Sequence, residues 1–314
     1  MRNKVLSVFF IIFFSVVTQC SAYWIWTPET RKWTNPKHAT KDSPSQQLAY
    51  AKEIFDSGAY EKALKEFEKL VHRFPKAFEA AEGQYFEGRC LEEMRMPYKA
   101  HLAYQKVVNK YPFSERNSEI VERQFKLAER ILEGEKRAFW DVISARDYPV
   151  VEILRAVINN EPYGPFAGAA YYKLGMYYKN LSFYEDAKKE FSKVITDHPD
   201  SEWVKPARYQ IAFCDALMSS KAGYDQDNSR AAQEGFEEFL KDYPDAELSE
   251  KARAELKSLR EEEAESQFKV AQFYHRKRAY KSAKIYYQYV VDRFNDTSWA
   301  SPALEKIQEI GQKE

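Results

Sequence analysis

Apolar positions along this chain recur in a short pattern. An Ala is followed four residues on by an aromatic, then three further by an aliphatic, then by a bulky residue just before Pro. The copies read Ala63-Phe67-Leu70-Phe74-Pro75 and Ala100-Tyr104-Val107-Tyr111-Pro112. They continue as Ala187-Phe191-Val194-His198-Pro199 and Ala232-Phe236-Phe239-Tyr243-Pro244. Ala283-Tyr287-Val290-Phe294 ends in Asn295 instead of Pro, and a degenerate copy, Val150-Leu154-Val157-Glu161-Pro162, stands in the middle. Steps of four and three residues keep side chains on one helix face, and Pro ends the helix. A second helical face precedes the marker Ala. In residues 168–201 it is formed by Tyr171, Leu174, Gly175 and Tyr178, and a break at 180–182 separates the two faces.

Each unit is therefore predicted to be a helix-turn-helix. Small residues such as Gly175 and Ala187 let the two helices approach, and Phe191 fills the groove beside them. The period of about 34 residues is that of tetratricopeptide repeats. Gly175, Ala187 and Pro199 stand at the signature offsets, and Tyr171 stands where Trp is usual. In the first copy Ala51 takes the close-packing slot and Gly58 the turn; in the last, Ala271 precedes Ala283. The predicted fold is all-α, a tetratricopeptide-like solenoid over residues 46–311. Its units lie near 46–77, 81–114, 120–164, 168–201, 204–246 and 264–297. Every step between marker residues exceeds the ideal period, so inserted loops or extended helices are expected near 113–118, 134–148, 219–228 and 245–264. The stretch 246–266 lacks Pro and Gly and reads as a helix running into the last repeat.

Composition narrows the function. Lys+Arg and Asp+Glu both number 48, and no basic stripe is evident, which argues against nucleic acid as a partner. Most of the Phe and Tyr residues fall on the repeat faces and read as core. No catalytic constellation is present. His38, His72, His101, His198 and His275 are scattered without zinc spacing, and there is no phosphate loop or nucleophile elbow. No enzyme activity, metal or cofactor is expected. Glu261-Glu262-Glu263 reads as a solvated helix face.

The N-terminus reads as an export signal over residues 1–22. Arg2 and Lys4 precede an apolar run from Val5 to Val17, too short to span a bilayer comfortably. Two cleavage sites compete. Val17-Thr18-Gln19-Cys20 approximates a lipobox, which would leave Cys20 as a lipidated N-terminus holding the protein on a membrane. Cleavage after Ala22 would instead release a soluble chain. Cys90 and Cys214 sit in first helices of distant repeats and are expected to be buried free thiols.

Two further segments stand out. A leader over residues 23–45 concentrates Trp24, Trp26 and Trp33, half of the six Trp, between prolines. It either caps the first repeat, or it docks on a partner or lies at a membrane interface, where Trp is favoured. The stretch Met218–Asn228 is expected to be a loop between the two helices of its repeat. Tyr224, Asp225 and Gln226 would be its partner-contacting tip, or Asp227, Asn228 or Ser229 would cap the helix that carries Ala232.

Taken together, these residues resemble the BamD family, the outer-membrane lipoproteins of the β-barrel assembly machinery. The resemblance runs from about 46 to 311. It is most specific over 203–260, where Tyr224-Asp225-Gln226 precedes AAQEGFEEFLKDYPDAELSEKARAELKSLR. SQFKVAQFYHRKRAYKSAKIYYQYVVDRFNDT is similar to the family's last repeat, and residues 49–115 to its opening ones. Gln19 in the lipobox, the Trp-rich leader and a sixth, degenerate unit depart from the family. The resemblance implies a scaffold in the periplasm, attached to the inner face of the outer membrane. It would bind the barrel-assembly protein through that protein's periplasmic domains, and would receive unfolded outer-membrane proteins. The alternative is a soluble periplasmic adaptor that coordinates a cell-envelope complex.

Overall fold

The computed structural model describes residues 25–27, 32–34, 40–133, 149–221 and 226–312. Its described residues fall in two units, Met1–Arg116 and Asn117–Glu314.

The first unit opens with a short antiparallel pair, β1 (Ile25–Thr27) and β2 (Lys32–Thr34), in which Trp26 stands opposite Trp33. Four helices follow: α1 (Pro44–Asp56), α2 (Tyr60–Arg73), α3 (Phe78–Glu93) and α4 (Pro97–Lys110). α1 starts inside the stretch read as leader. Pro44 occupies the first helical turn, where its missing N–H costs nothing, and the Ser43 side chain accepts a hydrogen bond from the Gln46 N–H.

The second unit contains α5 (Asn117–Glu133), α6 (Pro149–Asn160), α7 (Ala167–Asn180), α8 (Tyr184–Asp197), α9 (Val204–Lys221), α10 (Gln226–Asp242), α11 (Ser249–Arg276), α12 (Tyr280–Arg293) and α13 (Ala300–Gly311). Odd-numbered helices up to α11 are the first of each pair, and even-numbered ones the second.

Local chemistry explains the pairing. Between α1 and α2, Gly58 adopts a φ of 80°. Its N–H bonds to the Phe55 carbonyl and the Ala59 N–H to the Ile54 carbonyl, which closes a Schellman turn. Arg95, Ser182 and Arg278 take the same left-handed conformation in the corresponding turns, at φ 56°, 62° and 59°. Inside the α3–α4 and α7–α8 pairs a small residue meets a ring. A Cβ on Gly175 would lie 2.5 Å from the Phe191 ring, and one on Gly88 would clash with the Tyr104 ring. Ala51, Ala63, Ala100, Ala187, Ala232, Ala271 and Ala283 are fully buried. From each second helix to the next first helix runs a single tight turn. The residue two after the Pro position donates its N–H to the carbonyl of the residue before it, as in Ala77 to Phe74, Ser201 to His198 and Thr297 to Phe294. Pro75, Pro112, Pro199 and Pro244 stand exposed in these turns.

α13 is an element the repeat pattern does not announce. Ala303 and Ile310 are fully buried against α11 and α12, and the Trp299 ring lies 5.1 Å from Phe268. It covers the apolar face of the last pair, as terminal repeats require.

Two expectations about insertions need correction. Residues 113–118 hold no inserted loop: Ser114 N–H bonds to the Tyr111 carbonyl as in the other turns, and α5 begins at Asn117. The 219–228 insertion is mostly helix, because α9 runs to Lys221 and α10 starts at Gln226. Asp227, Asn228 and Ser229 therefore lie within α10 and do not cap it. At 245–264 the expected helix is present: α11 runs unbroken for 28 residues into the last repeat. Continuing a helix satisfies backbone N–H and C=O groups that a loop would leave to solvent. The expected insertion at 134–148 lies outside the described residues.

Candidate protein-binding face of the first helices

Three pairs of neighbouring first helices are tied together by one recurring device. A lysine reaches across to an acceptor and a ring that lie a turn apart on the adjacent first helix. In the first unit, Lys52 of α1 lies 2.9 Å from Glu82 of α3 and 4.7 Å above the Phe86 ring. Arg116 forks onto the same carboxylate at 3.0 and 2.9 Å and covers the Tyr85 ring at 4.8 Å. Burial alone would raise the Glu82 carboxyl. The bonds from Arg116 and Lys52 outweigh it and hold the group below the usual range.

In the second unit, Lys173 of α7 lies 2.9 Å from Glu129 of α5 and 5.5 Å above Phe125. Two turns further along α7, Lys179 bonds to the Gln210 amide oxygen of α9 at 2.7 Å and lies 5.2 Å above Phe213. Gln210 is neutral. Among the described residues Lys179 bonds to this amide and to no carboxylate, and burial lowers its pKa. Beside it run partly buried Tyr172, Met176 and Phe213. Tyr172 lies 4.7 Å from Trp203, and Phe213 stacks on Tyr209 at 5.9 Å. The α7–α9 face thus presents partly exposed apolar surface with a cation that lacks a counter-charge.

The slot usually filled by Trp has its own chemistry. Four residues before the close-packing Ala or Gly stand Gln47, Gln84, Gln124, Tyr171, Arg208 and Gln267. The buried glutamines find partners. Gln47 Nε2 donates to the Glu66 carbonyl at 3.0 Å and its side chain at 2.9 Å, and Asn160 donates to Gln124 at 3.0 Å. Gln84 donates to buried Glu87 at 2.6 Å. Burial pushes the Glu87 carboxyl up to about 7, although Gln84 opposes this.

Other ionic contacts link elements about a repeat apart in sequence. Arg155 of α6 forks onto Glu190 of α8 at 2.8 and 2.6 Å, and Arg260 of α11 onto Asp296 at 3.0 and 2.6 Å. The acidic run on α11 is put to use: Glu261 accepts from the Ser298 N–H at 3.0 Å and Glu263 from Gln233 at 2.7 Å. It is more than a solvated face, a role its spacing alone does not reveal.

Cys20, Trp24, Tyr224 and Asp225 lie outside the described residues. The backbone of Trp33 stands in β2 and that of Gln226 opens α10. Trp26 in β1 is 45% exposed. Cys90 and Cys214 are buried free thiols, each pushed up to about 12 by burial. No three His, Cys, Asp or Glu among the described residues are placed to hold a metal, and no described helix is long and apolar enough to cross a membrane.

Paired helices of this kind, closed by Schellman turns and packed small residue against ring, define an all-α repeat protein of the tetratricopeptide class. The model of the YfiO family, described as outer membrane lipoprotein, matches residues 154–313, just over half of the chain. The chain belongs to that family. No curated protein matches it. Solved structures similar to it include the C-terminal part of a tetratricopeptide-repeat protein from Cytophaga hutchinsonii, at 17% identity, 84% of this chain and 88% of that chain covered, and a TM-score of 0.38. A tetratricopeptide-repeat protein from Parabacteroides merdae is 13% identical over 85% of this chain and 98% of that one, with a TM-score of 0.35. YrrB, a repeat protein with an unusual peptide-binding site, is 16% identical over 68% and 93%, with a TM-score of 0.37. The fold assignment rests on the helix pairs themselves.

Proposed function

We propose that this protein is a non-enzymatic, protein-binding scaffold of the machinery that assembles outer-membrane β-barrel proteins. It works in the periplasm, attached to the inner face of the outer membrane through lipid on Cys20. Its partners are the barrel-assembly protein, held through that protein's periplasmic domains, and unfolded outer-membrane proteins. The observation that carries this reading is the α7–α9 face, on a chain of an outer-membrane lipoprotein family. Tyr172, Met176 and Phe213 offer apolar cover there, and Lys179 offers an uncompensated charge. A barrel strand is amphipathic, so its apolar side chains need cover before insertion. Aromatic and Met surface supplies that cover without ATP. Ordering an extended segment costs several kcal/mol, which keeps such binding moderate and reversible. Leader residues Trp24, Trp26 and Trp33, and the Tyr224-Asp225-Gln226 segment, are further partner contacts in this reading.

The test is affinity capture of the tagged protein from detergent-solubilised envelopes, followed by mass spectrometry. Recovery of a barrel protein with repeated periplasmic domains is expected. Recovery of cell-wall or secretion proteins in its place would contradict the assembly role and point to a periplasmic adaptor.

A further inference from the structure

Six turns follow a second helix, and each exposes the same two positions, one and three residues past the Pro position. In the first unit these are Lys76 and Phe78, then Phe113 and Glu115. Tyr163 holds the first of these positions in the second unit's opening turn. Later turns carry Asp200 and Glu202, Asp245 and Glu247, and Asp296 and Ser298. Phe78 is 90% exposed, Phe113 99% and Tyr163 88%. Rings this exposed at turn tips contribute nothing to the core. The first unit also fixes its two tips relative to each other, because the Tyr111 hydroxyl donates to the Pro75 carbonyl at 3.2 Å. Arg73 ends α2 and Lys110 ends α4, so cations stand at the base of both tips.

We infer that Phe78 and Phe113 form a membrane-docking edge, which inserts into the interface of the bilayer that holds this lipoprotein. The inference rests on the membrane attachment proposed above. Aromatic tips with adjacent cations are the composition that settles at a lipid headgroup boundary, and anionic lipid attracts Arg73, Lys76 and Lys110. The acidic tips of the later turns have the opposite character and would stay in water. The occupant is therefore lipid, and the edge sets which side of the first unit faces the membrane.

An environment-sensitive fluorophore on a cysteine at Phe113→Cys tests this, with the same label at Asp245→Cys as control. Cys90 and Cys214 are buried and do not compete for the label. The protein is purified from envelopes and floated with vesicles of phosphatidylethanolamine and phosphatidylglycerol. Expected is a blue shift at position 113 that brominated lipid quenches, with neither change at 245. Protein that floats while the 113 probe stays water-like overturns the docking edge and leaves membrane attachment standing. Protein that does not float overturns attachment and the edge together. A blue shift that brominated lipid does not quench assigns the tip to a protein contact and also overturns the inference.

Discussion

Two repeats of this chain share a skeleton and differ in what fills it. In the α7–α8 pair, Tyr171 and Leu174 stand beside Gly175, which meets Phe191. In the α3–α4 pair, Gln84 and Glu87 stand beside Gly88, which meets Tyr104. The positions are the same, yet one pair packs two apolar side chains where the other buries an amide and a carboxyl. The pairing therefore depends on the small residue against the ring, and on the turns, more than on apolar content at every inward slot. Polar residues are tolerated where they satisfy one another, as Gln84 and Glu87 do at 2.6 Å. The cost of that tolerance appears as a titratable group inside the first unit.

Removing the ring should break the comparison most severely. Phe191→Ala is expected to cost about 3–5 kcal/mol in urea unfolding, since it leaves a cavity between α7 and α8. A loss under about 1 kcal/mol would mean that Phe191 does not hold the pair.

The carboxyl difference gives the next largest effect. The folded chain keeps a proton on Glu87 up to about 7, whereas the unfolded chain releases it near 4.5. Stability should fall as pH rises through that window and level off above it. Buried Asp215 is also raised, because burial outweighs the pull of Lys188, so the second unit adds a slope of the same sign. Glu87→Gln should remove the first unit's share. It is expected to gain about 2–3 kcal/mol over the parent at pH 8 and almost nothing at pH 4. A gain independent of pH would show that Glu87 is ionised in the fold.

Overpacking the shared slot sharpens the skeleton argument. Gly175→Ala places a methyl against the Phe191 ring and should cost about 1–3 kcal/mol, with a similar loss for Gly88→Ala against Tyr104. A thermal-melting series in which only one responds would show that the two pairs pack differently. The smallest effect concerns the turns. Arg95→Gly relieves a left-handed residue and should stabilise by about 0.5–1 kcal/mol, whereas Gly58→Ala should destabilise by a similar amount.

Much of this architecture was legible in the sequence. Marker residues such as Ala187, Phe191 and Val194 occur at helical spacing and are all buried, and even the degenerate Val150, Leu154 and Val157 are core. The long α11 was legible as a stretch without Pro or Gly. What escaped depends on contacts between distant residues. The lysine bridges join partners about a repeat apart, such as Lys52 with Glu82, and no local pattern marks them. The glutamines in the Trp slot were visible at a fixed offset from the close-packing residue, but their partners were not. α13 escaped because it packs as a terminal cover and carries no marker Ala. The α9–α10 junction read as a loop because its Gly and Asp suggest a turn, yet the helices extend into it from both sides.

The central claim is that the α7–α9 face binds extended barrel segments. The most direct measurement places a photocrosslinking amino acid at Met176 or Phe213 in cells, with Tyr289 on α12 as control. The account predicts adducts to unassembled barrel proteins or to the barrel-assembly protein from the α7–α9 positions, and none from Tyr289. Equal adducts from all three positions, or none to barrel proteins from Met176 and Phe213, would contradict it.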